Sequence, residues 1–94
     1  VPAFGVYATQ VCFEGERWNA VTNVGVRPTV DERGRVTVEG FLLDFEGDLY
    51  GRSLRMEFYK YLRPEQKFSD VQALRDEVMR NAQQTRTYFR FAEL

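Results

Sequence analysis

The sequence contains no histidine and a single cysteine, Cys12. These scarcities remove intrachain disulfides, imidazole-based metal sites and any Ser-His or Cys-His nucleophile pair, so acid-base chemistry falls to carboxylates. No apolar run approaches membrane-spanning length, and no secretory signal is visible. Neither sign of charge dominates: thirteen Lys and Arg face fourteen Asp and Glu, for a net charge of -1. Without a basic field, any anionic ligand must be held by a local arrangement, which argues against nucleic acid as a partner. A cytoplasmic protein without membrane contact is the expectation. Cys12 lies in a β-forming segment with no base nearby in sequence and reads as inert.

What is present is aromatic and β-rich. Ninety-four residues make one domain, with an apolar fraction of 44%, eight Phe and five Tyr. The run from Gly5 to Phe13 is rich in β-formers, Glu14-Gly15-Glu16 supplies a turn, and Arg17 to Val26 completes a hairpin. Val30 to Arg35 reads as an exposed loop, Val36 to Phe45 as a third strand, Asp48 to Arg52 as a turn, and Ser53 to Leu62 as a fourth strand ended by Pro64. Ser69 and Gln72 match a capping box, and Val71, Leu74, Val78 and Ala82 then recur at helical spacing. The pattern predicts strands over about 5–62 and a helix over about 70–90. It places the chain in the α+β class, mainly β: an antiparallel sheet or partial barrel covered by one C-terminal helix.

One ionisable residue interrupts the third strand. By alternation Glu39 shares a face with Thr37, Phe41, Leu43 and Phe45, and a carboxylate among aromatics loses hydration that hydrogen bonds or a partner charge must replace. Such a residue is either functional or merely a solvated carboxylate at a strand end or barrel mouth. Asp44 and Asp48 flank the following glycine-punctuated turn, where turn chemistry outweighs catalysis.

Several blocks in order now carry a resemblance. They are Gly5-Val6-Tyr7-Ala8, Asn23-Val24-Gly25-Val26-Arg27-Pro28-Thr29, Glu39 to Asp44, Asp48-Leu49-Tyr50-Gly51, and Leu62-Arg63-Pro64-Glu65-Gln66-Lys67-Phe68 ahead of the helix. Together they resemble the riboflavin kinase module of bacterial bifunctional riboflavin kinase/FAD synthetases, over nearly the whole chain. The resemblance implies a six-stranded antiparallel Greek-key barrel with a C-terminal helix. It also implies transfer of the ATP γ-phosphoryl group to the 5'-hydroxyl of riboflavin, giving FMN and ADP. ATP would come with Mg²⁺, and an adenylyltransferase (FAD synthetase) domain would lie in cis in the parent protein. The family's proposed base falls on Glu39.

The other site residues follow from position within these blocks. Arg63, Lys67 and Phe68 lie in the connection that borders the family's flavin site, where an aromatic can stack on the ring system and a cation can meet phosphate. Phe68 as a hydrophobic staple and Arg63 as a solvated charge are the competing reading. Asn23, Arg27 and Tyr50 are nucleotide-side candidates, or stabilise turns and core. The family's Mg²⁺-binding Pro-Thr-Ala-Asn segment precedes the Gly5 block, whereas here only Val1 to Phe4 do, so no metal ligand is assigned. The expectation is a module lacking its first strand and metal loop, with two alternatives: a flavin- or nucleotide-binding module without transfer, or an inactive fragment. An edge strand left open in this way would also favour pairing with a second copy.

Overall fold

A computed structural model describes residues 3–27 and 34–92, with Arg27 defined by its backbone alone. Pro28, Thr29, the expected loop over 30–33 and the side chain of Arg27 lie outside the described residues. Four strands, β1 (Gly5–Phe13), β2 (Glu16–Arg27), β3 (Arg35–Leu42) and β4 (Arg55–Arg63), precede one helix, α1 (Val71–Ala92). The sheet is antiparallel in the order β3-β2-β1-β4. Three strands follow one another and the fourth returns beside the first, which is Greek-key topology.

Local chemistry sets the boundaries. Glu14 and Gly15, at φ of 51° and 80°, form the two-residue turn between β1 and β2. Two positive φ values match the twist of the flanking strands. Strand β3 stops at Leu42 instead of running on to Phe45, because Asp44 turns left-handed at φ 61° and the Leu43 amide donates to Asn19 O at 2.8 Å. The helix starts one residue later than a Ser69 cap requires. Asp70 is the cap, its Oδ1 accepting from the Ala73 amide at 2.8 Å, while Gln72 donates to Asp76 instead of closing a capping box. Aspartate caps a helix as well as serine does and adds a charge that suits the helix dipole.

The sheet is strongly curled. Met56 on β4 reaches back over Gly40 on β3, so that a Cβ at Gly40 would stand 3.0 Å from Met56 Cε and 3.3 Å from Thr22 Oγ1. The outer strands of the sheet therefore approach each other across its concave face, the shape of a partial barrel. Val11, Phe13 and Ala20 fill that concavity with Trp18, Leu42 and Met56, and Thr9 and Thr22 satisfy each other there, Oγ to Oγ, at 2.7 Å. Among the described residues four strands make this barrel, where the resemblance implied six.

Helix α1 covers the convex face. Ala82 packs with Val6, Val21 and Leu43, and Asn81, Thr85 and Phe89 are buried beside it. The apolar stripe expected from Val71 to Ala82 is only partly used for this. Val71 and Leu74 remain 72% and 45% exposed, so the C-terminal half of the helix holds the sheet while the N-terminal half stands away from it.

Candidate functional site

The gap left by that standing-off is a cleft of about 630 Å³. Strand register determines its floor. Val6 lies opposite Asn23 and Arg63, Asn23 opposite Glu39, and Val21 opposite Phe41, so these side chains share the convex face of four successive strands. The opposite wall is the first part of α1, where Val71, Leu74, Val78 and Asn81 line the space. Glu65, Gln66, Phe68 and Asp70, from the connection between β4 and α1, close one side.

Four of the residues singled out from sequence thus meet in one place: Glu39, Asn23, Arg63 and Phe68. Lys67 is exposed and does not line the cleft, although both its neighbours do. Tyr50 is 94% exposed in the loop between β3 and β4. That loop meets the other end of the sheet, where Arg52 bonds Glu14 at 3.0 Å. Asp48 accepts the Tyr50 amide at 2.8 Å, the turn chemistry expected of it. Asp44 pairs with Arg86 at 3.1 Å, tying the end of β3 to α1.

Glu39 is exposed to solvent in the cleft, not submerged among aromatics. The face predicted for it breaks up because β3 ends before Leu43 and Phe45, and the helix that would cover it stands off. Asn23, beside it, donates to Glu65 Oε1 at 3.4 Å. Gly25, two residues along β2, gives the Glu65 carboxylate its resting place, since a Cβ there would overlap it. The connecting segment can therefore lie down on β2.

Among the described residues Arg63 is the cation of the cleft, and it is held on several sides. Its Nε donates to Asn81 Oδ1 at 3.0 Å and lies 3.0 Å from Glu77 Oε2, its Nη1 donates to Pro64 O at 3.1 Å, and the guanidinium sits over the Phe68 ring at 5.6 Å. Glu77 is also gripped by Arg80 through contacts of 2.9 and 2.8 Å. Arg80 above all, with Arg63 adding to it, holds the Glu77 carboxyl below the usual range despite the opposing effect of burial. Sequence reasoning missed Glu65, Asp70, Glu77 and Asn81. The signal available was spacing: Leu74, Val78 and Asn81 continue one helical stripe into a polar residue.

A second ionic cluster occupies the far end of the same sheet face. Glu57 on β4 pairs with Arg17, lies 3.4 Å from Arg55 and accepts from Tyr59 at 3.0 Å. These bonds, Arg17 first and then Tyr59, lower the Glu57 pKa, and the bond to Glu57 raises those of Arg17 and Tyr59. Cys12 Sγ lies 3.9 Å from the same carboxylate.

Among the described residues no group of three or more Asp, Glu or Cys is arranged to hold a metal ion. Of the cleft carboxylates, Asp70 is committed to the helix cap and Glu65 to Asn23. The described residues thus do not make a metal site. No described helix is long and apolar enough to cross a membrane.

Comparison with known proteins gives the chain a family. The family model described as riboflavin kinase (flavokinase) matches residues 1–89. The bifunctional riboflavin kinase/FMN adenylyltransferase of Pseudomonas fluorescens is 48% identical over 75 residues, which are 80% of this chain and 24% of that protein. Its Bacillus subtilis counterpart is 35% identical over 91 residues, 95% of this chain and 29% of that protein. The chain therefore spans under a third of the length of these curated relatives. A crystal structure of a macrolide-efflux protein from Streptococcus pneumoniae superposes with a TM-score of 0.83 at 29% identity, covering 92% of this chain and 28% of that one. By family model and relatives alike, the chain belongs to the riboflavin kinase family.

Proposed function

We propose that this chain is a riboflavin kinase module that moves the γ-phosphoryl group of ATP to the 5'-hydroxyl of riboflavin, giving FMN and ADP. The observation that carries the proposal is the cleft itself, which gathers a carboxylate, an amide, a held arginine and an apolar wall on one face of a barrel of this family. Phe41, Phe68, Val71 and Leu74 offer surfaces for the isoalloxazine ring. Glu39 is the proposed base. A primary alcohol is a weak nucleophile, so the carboxylate takes its proton as the ribityl oxygen bonds to the γ-phosphorus and the bond to the ADP oxygen breaks.

Asn23, opposite Glu39 across β2 and β3, suits orientation of a hydroxyl or phosphate oxygen near that carboxylate. Arg63 and Phe68 belong to the flavin side. Arg63 is already paired with Glu77, so it suits shaping the cleft better than clamping a phosphate alone. ATP brings its divalent cation, Mg²⁺ in this reading. By analogy with the named relatives, an adenylyltransferase domain accompanies the module in the parent protein, and the setting is the cytoplasm.

Chromatography of FMN formed from riboflavin, ATP and Mg²⁺ tests the proposal, with Glu39→Gln alongside. Loss of a positioned base lowers turnover by roughly 10²–10⁴-fold. Unchanged turnover in Glu39→Gln removes Glu39 from the mechanism. Flavin binding without any FMN replaces the kinase with a binding module.

A further inference from the structure

The convergence of Arg63, Phe68, Asn81 and Glu77 extends the site beyond the residues that touch the cleft. The Arg63 side chain is only 14% exposed, and so is that of Glu77. A guanidinium so far out of water needs a partner charge and filled hydrogen bonds to keep one orientation. Glu77 supplies the charge and Asn81, 1% exposed, supplies an acceptor, while Asn81 is itself fixed by donating to Gln84 at 2.9 Å. Glu77 and Asn81 are four residues apart on α1 and so project from one face of the helix. Arg63 belongs to the end of β4, and Phe68 to the connection that follows it. The three pieces of chain that bound one end of the cleft are thus held in register by a single guanidinium.

We infer that Glu77, together with Asn81, is a positioning residue of the flavin cleft: it fixes the Arg63 guanidinium over Phe68 and thereby sets the shape of the surface that receives the ring system. The inference rests on the flavin reading above. Glu77 need not touch the ligand. Its effect passes through Arg63, which separates it from a residue that merely stabilises the helix. Arg80 provides the contrast, because it bonds the same carboxylate from an exposed position, at 62% side-chain exposure, without lining the cleft.

The test is riboflavin binding, followed by quenching of flavin fluorescence, in the unaltered chain, Glu77→Gln, Arg80→Gln, Arg63→Ala and the Glu77→Gln/Arg63→Ala double variant. Circular dichroism checks folding. Coupling between groups in contact predicts that Glu77→Gln raises the riboflavin Kd about tenfold and that the same change has no further effect once Arg63 is gone. Arg80→Gln is expected to stay within about twofold, the scatter usual for an exposed pair. Arg63→Gln, which removes the charge and keeps much of the length, takes the place of Arg63→Ala in the cycle if the alanine variant does not fold. An unchanged Kd in Glu77→Gln overturns the inference, as does an equal loss in the Arg63→Ala background or in Arg80→Gln. Absence of riboflavin binding by the unaltered, folded chain overturns the flavin reading itself, and the positioning role with it.

Discussion

Glu57 is the carboxylate through which this fold is expected to gain pH-dependent stability. Arg17 from β2, with Arg55 and Tyr59 from β4, surround it, and its carboxyl is held below the ordinary range chiefly by the bond from Arg17. A carboxyl with a lowered folded-state pKa adds stability above its unfolded value, and that stability disappears as pH falls through the folded-state value. Melting temperature measured from about pH 6 down to about pH 3, a range spanning the reference glutamate value, is therefore expected to fall less steeply in Glu57→Gln than in the unaltered chain. Identical slopes would show that the cluster adds no pH-dependent stability. Glu39 makes the opposite point at this scale. Its place on the cleft face was legible from alternation along an apolar strand, but its depth was not, because alternation assigns a face and says nothing of how far away the covering helix stands.

Among the elements, α1 divides its work along its length. Phe89 is 4% exposed and meets Tyr59 edge to face at 5.2 Å, whereas Leu74 lines the cleft at 45% exposure. Phe89→Ala removes buried aromatic packing and is expected to cost about 3–5 kcal/mol in chemical denaturation. Leu74→Ala removes a half-exposed side chain and is expected to cost about 1 kcal/mol or less; under the proposed flavin reading its effect appears instead as weaker riboflavin binding. Equal losses of stability would mean that the two halves of the helix share the packing. The strands and the helix themselves were readable from alternation and helical spacing, within three residues at each end. The stripe from Val71 to Ala82 was readable too, but not its purpose, since spacing alone cannot tell core from cleft wall. Tyr50 shows the converse: its motif is intact, yet the loop that carries it meets the far end of the sheet.

For the whole molecule the decisive feature is the curl that brings β3 and β4 together over a concave core. It leaves close quarters at position 40, where the end of the Met56 side chain and Thr22 Oγ1 approach the glycine. Gly40→Val would force Met56 aside and open the concavity, with an expected loss of about 1–3 kcal/mol by overpacking, measurable by denaturant titration. A variant as stable as the parent would show that the two strands have room to spare. Greek-key order was expected only through the family resemblance. Nothing in strand patterning says which strand pairs with which, and the return of β4 to β1 is a long-range choice made by packing.

The fastening of α1 through its C-terminal half also has a kinetic side. Amide protons around Ala82 to Phe89, buried against the sheet, are expected to exchange with solvent only through openings that detach the helix from it, whereas those of the first turns need only a local lift of the helix. A gradient of exchange rates along a single helix follows, so the wall of the cleft can breathe on a timescale far shorter than the lifetime of the fold.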